Sequence, residues 1–180
     1  MFVQALMLSR LFAAATAGAL VLSSCASPAQ ASDPDNVMAL ANAITDAGVE
    51  LYVDCPEDAE FAGLYASQHR GLVVCAGGLQ PSSFDPEQQD TLRHEGIHLA
   101  QDCMDRAFDG ELETTRTISN VMRMMAEASD VYNFEQIEHS YRQRGADDMT
   151  ILLEFEAWAG AAVYTNAEVA DLVRRACRVS

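Results

Sequence analysis

The sequence predicts an α+β domain, mostly helical, with a small antiparallel sheet near its N-terminus. Two observations carry this. Short apolar runs around residues 51–54 and 61–78 are bounded by Gly and Pro, as strands are. From residue 86 onward, apolar residues instead recur at helical spacing over long segments. A few strands set beside a majority of helices make an α+β layout.

Taken in order, "DPDNVMALANAITDAGVE" reads as a first helix, with Val37, Leu40, Ile44 and Val49 near one face. "LYVD" is a short strand ending at Cys55-Pro56. "FAGLYAS" and "GLVVCAGG" read as two strands around a tight turn at "QHR", with Gly71 supplying the unusual backbone angle. Gly77-Gly78 and "QPSSFDP" form the loop into the next helix, where Asp85 is the N-cap and Pro86 the first helical residue. On that helix Leu92, Gly96, Leu99 and Cys103 form the stripe expected to be buried. His94, His98, Gln101 and Asp105 form a polar stripe expected to face away from the core.

Gly110 breaks the chain after this helix. "TRTISNVMRMMAEASD" is strongly helical, and its Met and Ile positions are expected in the core. "NFEQIEHSYRQRGADD" is a helix ending near Gly145. "MTILLEFEAWAGAAVY" is apolar nearly all round and is expected to be central, Trp158 included. Thr165 to Glu168 is a capping box that opens a last helix through Cys177.

Residues 1–31 read as an export leader outside the fold, and residues 32–180 as one domain. The run "LFAAATAGALVLSS" after Arg10 has the length of a signal-peptide core and is short for a membrane span. Two processing readings stand side by side. "LSSC" at residues 22–25 resembles a bacterial lipobox, which makes Cys25 a lipidated N-terminus; "AQA" at residues 29–31 resembles a cleavage site that releases a soluble chain from Ser32. Either way the destination is outside the cytoplasm: periplasmic, extracellular or lipid-anchored at a bacterial envelope.

The formal net charge is −16, and all 11 basic residues are Arg. Such acidity argues against nucleic acid or anionic lipid as a partner and leaves a lipid on Cys25 as the one membrane link. Cys55, Cys75, Cys103 and Cys177 form an even set with no C-x-x-C spacing, which reads as two disulfides in an oxidising compartment. Chain proximity and expected packing favour Cys55–Cys75 and Cys103–Cys177.

Chemistry concentrates in "TLRHEGIHLAQDC". His94 and His98 are at i and i+4, so their rings stack on one helical face and converge on a single point. Two imidazoles so placed suit Zn²⁺, and Glu95 follows the first His, where a carboxylate can take a proton from water at the metal. A catalytic zinc site wants a third protein ligand. "LLEFEAWAGAA" offers Glu154 and Glu156, carboxylates whose burial in an apolar helix demands a partner. They point about 200° apart, so one at most faces the metal; His139 or an acid elsewhere is the remaining source. His69 is expected to be merely exposed.

H-E-x-x-H with a ligand Glu on a later helix resembles the gluzincin class of zinc metallopeptidases. "EFEAWA" resembles the E-x-x-A-D segment of membrane-associated gluzincins such as the CAAX-prenyl and HtpX-like endopeptidases. The resemblance covers two short segments. It implies a zincin-like fold, Zn²⁺ on His94, His98 and Glu154, Glu95 as general base, and a peptide or protein substrate. Ala157 matches the small residue, while Trp158 replaces the Asp that would orient a ligand His, a task left to Asp102 or Asp105. The resemblance also implies a carbonyl-polarising His or Tyr, for which His139 and Tyr141 are candidates with Tyr132 and Tyr164 as rivals, and a sheet edge at "GLVVC" above the motif helix. Loss of the Asp leaves a second expectation open: an inactive zincin-like, disulfide-stapled binding or envelope protein.

Overall fold

Asn36 opens the described chain by accepting a hydrogen bond from Ala39 N, which starts helix α1 (Val37–Asp46). Its buried face is Val37, Leu40, Ala41, Ala43 and Ile44. The computed structural model describes residues 36–57, 59, 61–105 and 108–177; the leader with Cys25 and its two processing motifs lies outside them. After α1 come strand β1 (Glu50–Tyr52), strand β2 (Gly63–Ala66), a 3-10 turn (Ser67–His69) and strand β3 (Gly71–Val74).

The sheet is mixed, not wholly antiparallel. Its order is β1-β3-β2, with β3 parallel to β1 and antiparallel to β2. Only β2 and β3 are joined by a tight turn, so only they form a hairpin. From β1 the chain crosses to the far edge and returns down the middle, which makes that second pairing parallel. "GLVVC" is therefore the central strand, and the edge against the motif helix is β2. The left-handed residue at the turn is Arg70 (φ 46°), not Gly71. Gly71 is small for another reason: a Cβ there would stand 3.2 Å from the Tyr52 ring on the neighbouring strand.

Five further helices follow: α2 (Pro86–Asp102), α3 (Ile118–Glu127), α4 (Phe134–Gln143), α5 (Asp148–Val163) and α6 (Asn166–Ala176). Asp85 and Gln88 close a capping box on α2 with Pro86 at its first position; Thr165 and Glu168 do the same on α6. α2 is the central element, flanked by α5, by α1 with α6, and by β2 and β3. Its apolar stripe meets α1 and α6, where a Cβ on Gly96 would already touch Leu40 and Val169.

His94, His98 and Gln101 of the polar stripe are buried too, contrary to the expectation that it faces outward; Asp105, past the end of α2, is exposed. α5 lies across the three, and Glu95 is buried beside them. α3 rests on α5, with Met124 and Ala128 against Ala159, and buries only Val121 and Met124 of its own residues. Ile118 and Met122 are consequently exposed rather than core. The disulfides are Cys55–Cys75, at the open end of the sheet, and Cys103–Cys177, joining the C-terminal ends of α2 and α6. Such bridges belong in an oxidising compartment. Among the described residues no helix is long and apolar enough to cross a membrane.

Candidate metal centre

His94 and His98 stand one turn apart on α2, and Glu154 reaches them from α5. One carboxylate oxygen of Glu154, Oε2, lies 3.5 Å from His94 Nε2 and 3.6 Å from His98 Nε2. The two Nε2 atoms are 3.1 Å apart. A tetrahedral shell with donor bonds of about 2.0–2.1 Å requires its donors to be about 3.3–3.4 Å from one another. The three observed edges bracket that figure, so these residues fit one metal ion.

Hydrogen bonding aims the lone pairs. The Gln101 amide nitrogen donates to Leu153 O (3.1 Å) and to Glu156 Oε2 (3.0 Å), which leaves its oxygen to accept from His98 Nδ1 at 2.8 Å. With its proton on Nδ1, neutral His98 presents a bare Nε2 toward His94 and Glu154. Glu154 Oε2 is buried without a hydrogen-bond donor among the described residues, as a ligand atom would be. Three lone pairs thus converge in a buried place, an arrangement that a cation stabilises.

The same surroundings that would favour a cation there also favour a proton on His98. Burial alone would depress His98, but the Glu154 carboxylate beside it, helped by the charge of Glu95, overrides burial and pushes the imidazole up to about 9. Burial likewise works to raise Glu154, yet the two imidazoles hold its carboxyl well below the usual carboxylate range.

Glu156 has a different task. Its carboxylate is taken up away from the two Nε2 atoms, accepting from Thr115 N (3.0 Å), Thr115 Oγ1 (2.6 Å) and Gln101. It is not a third ligand but the anchor of the side chain that orients His98. Neither acid expected in that orienting role fills it. Asp102 accepts from Tyr65 Oη (2.6 Å) and Gly110 N (2.8 Å), and Asp105 lies beyond the end of α2. Gln101, one residue before Asp102, does the work, and it was visible in the sequence as a polar member of the histidine stripe. His94 has no such support: its Nδ1 is buried without a partner among the described residues, and Trp158 packs its ring 4.5 Å away.

His94 and Glu95 form part of the wall of a cleft of about 380 Å³. Gly63 at the start of β2 overhangs Glu95, with room for no side chain: a Cβ there would overlap Thr91 and stand 3.0 Å from Glu95 Oε1. Tyr132, Tyr141 and Trp158 make the aromatic part of its wall. Trp158 is therefore a cleft residue, half-buried, rather than core. Burial first and the Glu154 carboxylate second raise the Tyr141 phenol, which keeps its proton and remains a donor beside the ligands. Tyr132 is tied to Asp90.

His139 is outside the site, exposed on α4 and bonded to Gln143. Tyr164 is also elsewhere, under Arg116 and against Met124. His69 is exposed in the 3-10 turn.

No family model matches the chain, and no curated protein or solved structure is a significant match to it. The chemistry has to be read from the residues.

Proposed function

We propose that this protein is an exported zinc metallohydrolase that cleaves peptide bonds, with His94, His98 and Glu154 as the zinc ligands. The observation that carries the reading is the triangle of His94 Nε2, His98 Nε2 and Glu154 Oε2, 3.1–3.6 Å on a side, with Glu95 beside it in the cleft wall. Two imidazoles and a carboxylate also suit non-haem iron. An octahedral face with bonds of about 2.1 Å has edges of about 3.0 Å, however; the His94–His98 edge of 3.1 Å is near that figure, but the three edges together average about 3.4 Å, which favours the tetrahedral ion.

When bound, zinc would supply Lewis acidity, polarising a substrate carbonyl and making water acidic enough to give up a proton near neutral pH. Glu95 accepts that proton as the water attacks the carbonyl carbon and passes it to the departing amine. Tyr141, kept protonated, donates to the carbonyl oxygen as negative charge grows there. The free edge of β2, with Gly63 over Glu95, suits an extended peptide laid alongside it by main-chain hydrogen bonds. Export by the leader, with or without a lipid on Cys25, is in keeping with both disulfides.

Glu95→Gln should keep stoichiometric zinc and lose about 10²–10⁴-fold in peptide hydrolysis. His94→Ala should lose the zinc itself. Elemental analysis and a peptide digest on both variants separate the roles, and wild-type turnover by Glu95→Gln removes the enzyme claim. A second reading has its own support: Trp158 where an orienting Asp is expected, and the unpartnered His94 Nδ1. On that reading the chain is an inactive metal-holding envelope or binding protein. Zinc at one per chain with no cleavage across a broad peptide library would establish it.

A further inference from the structure

Arg144 lines the cleft that holds His94, Glu95, Tyr141 and Trp158. It caps the C-terminus of α4, but its side chain does not turn to the last carbonyls. The guanidinium lies over the Tyr141 ring, 5.1 Å from its centroid, and Nη2 donates to Ser140 Oγ at 2.7 Å. Four arginines pair with carboxylates, Arg93 with Asp90, Arg123 with Glu127, Arg142 with Glu138 and Asp148, and Arg174 with Asp171, while Arg70 and Arg116 lie over aromatic rings as Arg144 does. Arg144 has no carboxylate partner among the described residues, in a chain of net charge −16.

The other charged walls of the cleft are acids. Asp90 is already satisfied by Arg93 and Tyr132. Glu87 is exposed in the first turn of α2, and Glu95 is the proposed base. Such walls repel a polyanion. They leave one point, Arg144, where a single negative group is welcome.

We infer that Arg144 is a specificity-determining residue that binds a carboxylate of the substrate. The inference rests on the peptidase reading for its setting and names the substrate class: a peptide bearing one carboxylate close to the bond presented to His94 and Glu95. A guanidinium seated over the Tyr141 ring and tied to Ser140 by Nη2 leaves its remaining N–H groups to pair with carboxylate through two parallel bonds. Tyr141 is one helical turn away on α4 and stands beside Glu154, so the bound carboxylate lies about one side chain from the metal ligands. An Asp or Glu side chain and a free C-terminus present the same group.

The test measures binding, so that it does not depend on turnover. The zinc-loaded full chain carrying Glu95→Gln is titrated with four peptides: acetyl-tetra-alanine as the free acid and as the amide, and an amidated acetyl-pentapeptide with one internal Glu or Gln. At least one acid should bind about tenfold more tightly than its neutral twin, and which pair shows the difference assigns the carboxylate to the C-terminus or to a side chain. Adding Arg144→Gln should bring the two affinities within about twofold, and Arg144→Glu should make the acid the weaker ligand, with melting temperature and zinc content as folding controls. Equal binding of both pairs by the Arg144 protein, or an acid preference that survives Arg144→Glu, overturns the inference. Acid preference accompanied by no cleavage in the wild type retains the carboxylate site and overturns the peptidase reading alone.

Discussion

Gln101 is the side chain on which the geometry of His98 depends. It is fully buried, and each of its polar atoms is committed: oxygen to His98 Nδ1, nitrogen to Leu153 O and Glu156 Oε2. Leucine fills a similar volume but accepts nothing. Gln101→Leu should free His98 to rotate or change tautomer and should weaken zinc binding by about 10–100-fold. Chelator competition at fixed pH measures this. Unchanged affinity in Gln101→Leu would mean that His98 is oriented by packing alone. His94 offers the comparison within one site, since its ring is packed by Trp158 and its Nδ1 has no acceptor among the described residues. The triangle of donors could be anticipated because its parts are local or anomalous: a His pair at i and i+4, and a carboxylate in an apolar helix. Its support could not, because Gln101, Glu156 and Thr115 meet only after α2 and α5 have packed.

Elements were readable where their signals are local. Asp85-Pro86, the Thr165–Glu168 box and Gly145 mark helix ends by satisfying backbone groups within a few residues, and the helices begin and end near them. Strand direction is not local. "LYVD" and "GLVVCAGG" carry the period of a strand without stating a partner, so the parallel pairing of β1 with β3 had no signature. A polar stripe on a helix reads as solvent-facing for the same reason, until a second helix is known to cover it. What brings α5 onto α2 is Gly160: a Cβ there would stand 2.5 Å from Ile97 Cδ1 and 3.4 Å from the Tyr164 ring. Gly160→Val should therefore push α5 outward and carry Glu154 with it. The expected cost is about 1–3 kcal/mol of stability from overpacking, together with weaker zinc binding, read by denaturant melts and chelator competition on one preparation. A destabilised variant that still binds zinc as tightly as the wild type would show that the ligands tolerate a shifted helix.

Three ties hold distant stretches of the chain together: Cys55–Cys75 across the sheet, Cys103–Cys177 from α2 to α6, and the donor triangle from α2 to α5. The first two are covalent and present whenever the protein is oxidised. The third is one that a cation would fasten, because a carboxylate and two imidazoles face one another there in a buried place that favours positive charge. The ligands come from positions 94, 98 and 154, so an unfolded chain does not hold them in register. A metal that binds the folded form alone stabilises it by mass action, by about 2.7 kcal/mol at a hundredfold excess over Kd. For a domain of this size that is an upward shift in Tm of roughly 5–10 °C. Melting the oxidised protein with zinc and then with excess chelator should show that difference, and it should vanish in Glu154→Ala, which removes the α5 side of the triangle. Identical Tm in zinc and in chelator for the wild type would mean that no ion bridges the two helices, and both the metal centre and the hydrolase reading would fall with it.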